Sequence, residues 1–153
     1  MSLGFRFVPI VDDLSLLSKS DLAEELLEES LSKGKKVAET DPYVLLTAMH
    51  TLGGLHDDKG EYDIAEQFYK DCLSLSSKVL GEDHQDTLLS LYNLAMFYFK
   101  HGDHNNAKPL LYEHSSKKEK VLGADHPDTL QCKRNLEDME KEMEAVDNPC
   151  ILS

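Results

Sequence analysis

The sequence has few cysteines, no tryptophan and no long apolar run, and these shortages narrow what the chain can be. Its three cysteines, Cys72, Cys132 and Cys150, are an odd number and contain no C-x-x-C pair. Such usage is typical of a reducing compartment and not of a disulfide framework. The apolar stretch in residues 1–11 is interrupted by Pro9, so it is too short and broken for a secretory signal or a membrane span. We therefore expect a cytoplasmic protein.

Positive charge is also scarce, because 16 Lys and Arg stand against 29 Asp and Glu, for a net charge of -13. A phosphate backbone is bound by clustered Lys and Arg, so the composition argues against nucleic acid as a partner. It also disfavours unaided binding to an anionic membrane. The acidity fits solubility first and a basic partner second.

Catalytic motifs are missing. The sequence has no G-x-S-x-G, no phosphate-cradling glycine loop and no cysteine with an evident base nearby in sequence. His101-Gly102-Asp103-His104 offers three possible metal ligands in one turn, but a further ligand at a recognisable spacing is lacking. We therefore expect no enzyme, no cofactor and no metal site.

An internal repeat is the main feature that is present. LGEDHQDTL at 80–88 returns as LGADHPDTL at 122–130, 42 residues later. The same offset pairs Gly60 with Gly102 and Asn93 with Asn135. This period is too long for a coiled-coil heptad and suits a pair of helices plus two turns.

Apolar residues follow a helical period within each repeat. Asp41-Pro42 opens the first clear pair, since proline is favourable in the first turn of a helix. The apolar faces of the four helices are Leu45, Met49, Leu52 and His56; Tyr62, Ala65, Phe68, Tyr69, Cys72, Leu73 and Val79; Leu88, Leu91, Leu94, Ala95 and Tyr98; and Ala107, Leu110, Leu111 and Val121. Less regular stripes at 7–14 and 20–31 predict earlier helices. No strand-like alternation occurs, so the fold class is all-α.

The segment GEYDIAEQFY at 60–69, preceded by Leu52-Gly53, resembles the tetratricopeptide repeat signature. The Leu-Gly-x-Asp-His-Pro linker looks more particularly like the kinesin light chain and nephrocystin-3 branch of that family. The resemblance implies a short α-solenoid, a right-handed superhelix of helix pairs, over residues 1–146. It would comprise a degenerate repeat (1–40), two repeats (43–83 and 86–125) and a capping helix (127–146), followed by a flexible tail (147–153).

The predicted capping helix departs from the repeat pattern. The small residue that is Gly53 and Ala95 in the two repeats becomes Glu137, and the aromatic Tyr98 becomes Glu140. A second helix packed on these positions would bury a charge, so we expect a solvated end to the array.

The resemblance also implies a function, which is non-catalytic binding of a protein or peptide partner in the concave groove. The first helix of each pair lines such a groove, and the corresponding residues are His50, Thr51, Asp57 and Asp58; Tyr92, Asn93, Met96, Phe99 and Lys100; and Arg134, Asn135 and Lys141. An Asn there typically bonds the backbone of a bound peptide, although Asn93 and Asn135 would equally satisfy neighbouring helices. Met96 and Phe99 either form an apolar floor for a ligand or are covered by packing.

The linker histidines and aspartates have structural interpretations. Because His84 and His126 recur with the repeat, we expect each to bond a carbonyl or to pack on the next pair. The aspartates beside them are candidate helix caps.

The C-terminal sequence Cys150-Ile151-Leu152-Ser153 fits the C-a-a-X prenylation pattern. Against lipidation, the stretch 140–147 is acidic, whereas one lipid normally needs a basic patch or a second chain to hold a membrane. Two alternatives thus accompany the groove hypothesis: an adaptor anchored to a membrane through a prenylated Cys150, and a small regulatory subunit that binds by its convex face.

Overall fold

The computed structural model describes residues 41–148. The predicted degenerate repeat at 1–40 and the lipidation candidate Cys150 lie outside the described residues. The described part is all helix and turn: α1 (Pro42–Asp58), α2 (Tyr62–Leu80), α3 (Gln85–Lys100), α4 (His104–Leu122) and α5 (Pro127–Asp147). Each helix packs chiefly on its neighbours in sequence. The prediction of an all-α, solenoid-like helical repeat is confirmed.

The turn after each pair is built in the same way. α2 and α4 end at Gly81 and Gly123, whose φ angles of 96° and 95° lie in a region that favours glycine. Thr87 Oγ1 then donates a hydrogen bond to the carbonyl oxygen of Gly81 at 2.7 Å. The corresponding Thr129 is fully buried, and its hydroxyl has no hydrogen-bond partner among residues 41–148. The second copy of the turn therefore repeats the backbone but not this bond.

The linker histidines cap the helices that follow them. Nδ1 of His84 accepts a hydrogen bond from the backbone N–H of Asp86 at 3.1 Å, and Nδ1 of His126 accepts one from Asp128 at 3.1 Å. The prediction of a structural role for the linker histidines at the helix junction is confirmed, although each bonds a backbone N–H and not a carbonyl; the prediction of capping by the linker aspartates was wrong. An imidazole nitrogen satisfies the free N–H, while the aspartate stands in the first turn, where the helix dipole favours it.

Two clusters form the core. One joins α1 to α2 through Leu45, Leu46, Met49, Leu52 and Cys72. The other runs from α2 to α5 through Ala65, Tyr69, Leu94, Ala95, Phe97, Tyr98, Ala107, Leu111 and Met143. The predicted stripes of α1 and α3 are confirmed, but Tyr62, Val79 and Val121 are about half exposed. These three lie near the ends of their helices, where the neighbouring helices no longer cover them.

The two helix pairs differ in the sizes of the residues that face each other between their first and second helices. An ideal Cβ on Gly53 would meet the ring of Tyr69 at 3.2 Å, so the small residue lets the α2 tyrosine approach α1 closely. One repeat later these positions are Ala95 and Leu111, both buried in the core. A smaller second-helix residue thus accompanies a larger first-helix residue.

α5 contacts a helix on one side only within the described part of the chain. Leu130 stands one repeat after Leu88, yet it is 41% exposed where Leu88 is 2% exposed. Glu137 is exposed, and the half-buried Glu140 accepts a hydrogen bond from the Tyr112 hydroxyl. Both glutamate side chains therefore avoid unpaired burial.

Candidate partner-binding groove

The candidate site is the surface shared by α1, α3 and α5, which we call the groove. These helices pack on α2 and α4 more than on one another, which leaves space between them. Between α1 and α3 there are a small cavity of ≈ 110 Å³ and a wider hollow of ≈ 470 Å³. Between α3 and α5 there is a cavity of ≈ 350 Å³. A segment lying across the three helices would pass over all three spaces.

Six of the predicted residues meet in the wide α1–α3 hollow. They are His50, Asp57, Asn93, Met96, Phe99 and Lys100. Met96 and Phe99 are half buried and line this hollow, whereas their neighbours on α3, Phe97 and Tyr98, belong to the core. Phe97 also borders the hollow, and Phe99 also packs against the core cluster, so Met96 and Phe99 offer apolar surface to the hollow while Phe99 is in part covered by packing.

Charges at the end of this hollow neutralise one another. The Asp57 carboxylate, whose side chain is 8% exposed, lies 2.8 Å from Lys100 Nζ and 2.5 Å from His101 Nε2. Burial raises the pKa of Asp57, but hydrogen bonds from Lys100 and His101 outweigh it and leave that pKa below its ordinary value. Asp57 and Lys100 therefore form an ion pair that links α1 to α3, and their charges neutralise each other.

The two groove asparagines have different surroundings. Asn93 lines both spaces between α1 and α3, and its amide makes no hydrogen bond to any residue of 41–148. Asn135 lines the α3–α5 cavity, where its Oδ1 accepts a bond from Gln131 Nε2 at 2.8 Å. Asn93 is therefore the more available of the two for a bound partner.

The α3–α5 cavity brings Tyr92 and Asn135 together with residues of α4 and α5 that the sequence did not single out. Among them, His114 is 7% exposed, and its Nδ1 lies 3.3 Å from Cys132 Sγ. Burial, with a smaller effect of Lys118, lowers the pKa of His114 to about 4. Burial raises the pKa of the Cys132 thiol. At neutral pH the pair is therefore a neutral imidazole beside a protonated thiol.

This pair does not have the electrostatics of a catalytic dyad. A nucleophilic cysteine needs a lowered pKa and a base able to take its proton, and both shifts here run the other way. Within residues 41–148, no three His, Cys, Asp or Glu side chains come together as metal ligands. The arrangement suits hydrogen bonding to an occupant of the cavity.

Four predicted residues lie apart from these three spaces. Asp58 is exposed at the end of α1, and Thr51 donates a hydrogen bond to the carbonyl of Thr47 within that helix. Arg134 bonds Gln131, and Lys141 bonds Asp138, both within α5. The other eight predicted residues line at least one of the three spaces beside α3.

Leu89 is the most exposed apolar residue that the sequence reasoning missed in the groove. It is 53% exposed and lines both the small α1–α3 cavity and the α3–α5 cavity. The signal was present, since Leu89, Tyr92, Asn93 and Met96 follow a second helical stripe on α3. This second stripe was overlooked because the neighbouring Leu88 belongs to the buried stripe, and Leu89 was not considered separately from it.

No helix within the described residues is both long and apolar enough to cross a membrane.

None of the curated proteins compared with the chain matches it significantly. The model of the tetratricopeptide repeat family matches residues 44–116, which run from the start of α1 into α4. Together, this match and the two helix pairs identify residues 44–116 as tetratricopeptide repeats.

Proposed function

We propose that the chain is a non-catalytic interaction module that binds an extended segment of a protein partner in the groove. Tetratricopeptide repeats generally mediate protein–protein interaction, and their helical fold is typically non-catalytic. The observation that carries the proposal is the Asn93 amide, which has no hydrogen-bond partner in residues 41–148 and stands between the two α1–α3 spaces.

The chemistry of the groove fits a peptide backbone with alternating side chains. An amide offers a donor and an acceptor, so Asn93 matches one peptide unit of an extended segment. Leu89 on one side and Met96 with Phe99 on the other provide apolar surface for the flanking side chains. Asn135 provides a second amide one repeat away, in the α3–α5 cavity.

The linker motif supports a finer proposal. Because it appears twice and resembles that of kinesin light chains, we propose that the groove binds cargo-like segments in the manner of that branch, in the cytoplasm. Fold alone does not determine the ligand, so the partner must be found by experiment.

A pull-down from eukaryotic cytosol tests the groove. The intact chain is compared with the Asn93→Ala, Asn135→Ala double variant and with a control, Gln67→Ala with Asn105→Ala, which removes two exposed amides from α2 and α4. Circular dichroism checks that all three are equally helical. Partners lost only from the groove variant support the proposal. Partners kept by all three proteins would contradict it and move the interaction to the convex face or the tail.

A further inference from the structure

The α3–α5 cavity has an acidic rim. Asp86 in the first turn of α3 and Asp128 in the first turn of α5 both line it, one repeat apart. Neither carboxylate forms an ion pair with a Lys or Arg of residues 41–148, and the Asp86 carboxylate lies 3.6 Å from Nδ1 of His84. That His84 nitrogen accepts a hydrogen bond from the backbone N–H of Asp86, so it is not a cation that pairs with the carboxylate. By contrast, Asp83 in the preceding linker is paired with Lys120 at 2.6 Å. The rim charges remain available to a cationic group from outside.

The walls of this cavity are mainly apolar. Leu89, Leu111, Leu136 and Met139 line it together with the ring of Tyr92. Burial of an aliphatic or aromatic side chain against such walls removes apolar surface from water and so favours binding. The cavity therefore suits one apolar side chain placed next to a charge.

His114 adds a polar group inside the cavity. It is more than nine-tenths buried and lines the cavity, and its Nδ1 faces Cys132. Its Nε2 has no hydrogen-bond partner in the described part of the chain. A neutral imidazole presents one donor and one acceptor, so this second nitrogen can bond a peptide group of an occupant.

One cation also lines the cavity. Lys118 of α4 has no salt bridge within residues 41–148, but two carboxylates stand against its single charge. The chain as a whole carries a net charge of -13, so its field attracts basic segments and repels acidic ones.

From these observations we infer that the α3–α5 cavity anchors a partner segment in which an aliphatic or aromatic residue stands close to Lys or Arg. The apolar side chain enters between Leu89 and Met139, and the cation pairs with Asp86 and Asp128. The inference rests on the proposed function and deepens it by stating the chemistry of the partner.

Selection from a random-peptide library displayed on phage tests the inference. The full chain is used as bait beside the Asp86→Asn, Asp128→Asn variant and a charge-matched control, Asp71→Asn with Asp125→Asn, whose exposed carboxylates lie outside the cavity. Peptides selected by the wild type should pair an apolar residue with a nearby Lys or Arg. Such a peptide should bind the rim variant about tenfold more weakly and the control within about twofold of the wild type.

Alkylation of Cys132 then locates the peptide, because this half-buried thiol borders the cavity. Bound peptide should slow its alkylation several-fold in the wild type. Selection of acidic peptides, selection without charge preference, equal binding to the rim variant, or no selected peptide at all would overturn the inference. None of these outcomes decides the proposed function, which depends on whether cytosolic partners are lost from the Asn93→Ala, Asn135→Ala variant.

Discussion

His114 and Cys132, whose Nδ1 and Sγ atoms lie 3.3 Å apart, stand one repeat after Cys72 and Ser90, whose Sγ and Oγ atoms lie 3.5 Å apart. Each pair joins the second helix of one unit to the first helix of the next. The earlier pair is fully buried, whereas Cys132 is half buried and borders a cavity. Cys72 and Ser90 also border a groove space, the small α1–α3 cavity of ≈ 110 Å³, so the two junctions differ in the size of the adjoining cavity and in the exposure of the cysteine.

The buried imidazole at this junction predicts an acid-sensitive fold. The pKa of His114 is about 4 in the folded protein, against an ordinary value of 6.5, so the unfolded chain binds the proton more readily between these values. Stability from this group is fully present above pH 6.5 and is lost as pH falls toward 4, by roughly 3 kcal/mol in total. Urea unfolding at a series of pH values from 7 to 4 measures this loss.

Replacement of His114 by Gln isolates its contribution. The variant keeps a polar side chain at the position but has nothing to protonate there, so its free energy of unfolding should fall less over the same pH range. Other titrating groups act in both proteins and cancel in the comparison. Parallel pH profiles for the two proteins would show that His114 is not the acid-sensitive group.

The two linker threonines should respond differently to the same substitution. Thr87→Val removes the hydrogen bond to the Gly81 carbonyl and should lower the free energy of unfolding by about 1 kcal/mol. Thr129→Val replaces a buried hydroxyl that has no hydrogen-bond partner in the described part of the chain, so the free energy of unfolding should stay unchanged or rise by up to about 1 kcal/mol. Urea unfolding of both variants provides the comparison, and equal losses would refute it.

Gly53 and Gly54, adjacent on α1, form another matched pair. Alanine is more favourable than glycine within a helix by about 1 kcal/mol, and at 54 the new Cβ would meet only the Tyr69 hydroxyl at 3.8 Å. Gly54→Ala should therefore raise the melting temperature. At 53 the new Cβ would be 3.2 Å from the Tyr69 ring, which packs between His50 and Phe97, so Gly53→Ala should lower it.

A second substitution distinguishes this clash from other causes. Tyr69→Leu in the Gly53→Ala background recreates the Ala95 and Leu111 combination of the following repeat. It should recover part of the loss in melting temperature. A double variant less stable than the sum of the two single changes would mean that the ring contact is not the source of the loss.

Much of the fold could be predicted because the same pattern of apolar and turn residues occurs in two consecutive repeats. The 42-residue offset revealed the helix pairs, and the periodic stripe revealed the buried faces of α1 and α3. The N-cap residues of α3 and α5 were predicted wrongly for a local reason. In His84 and His126 the Nδ1 atom accepts the hydrogen bond from a first-turn backbone N–H that an aspartate oxygen usually accepts. Residue preferences at N-cap positions favour aspartate over histidine, and only the backbone geometry shows which of the two side chains reaches the free N–H.

The groove was predictable in part. Because one helix fixes its own faces, the sequence could place Asn93, Met96 and Phe99 on the side of α3 that lines the α1–α3 spaces. The α3–α5 cavity also takes His114 from α4, and its existence depends on the gap between two helices that hardly touch. A gap of this kind leaves no periodic signal in the sequence.

Leu89 provides the most direct link between this geometry and binding. Its side chain is about as exposed as that of Val79 on α2, so Leu89→Ser and Val79→Ser should each change the free energy of unfolding by less than about 1 kcal/mol. Leu89 also lines two groove cavities, whereas Val79 lines none of the three groove spaces. Isothermal titration with a partner recovered by the pull-down should therefore show about tenfold weaker binding for Leu89→Ser and an unchanged affinity for Val79→Ser. Weaker binding for Val79→Ser alone would place the interface on the second helices of the pairs. Equal weakening for both variants would mean that the affinity depends on the total exposed apolar surface and not on the groove.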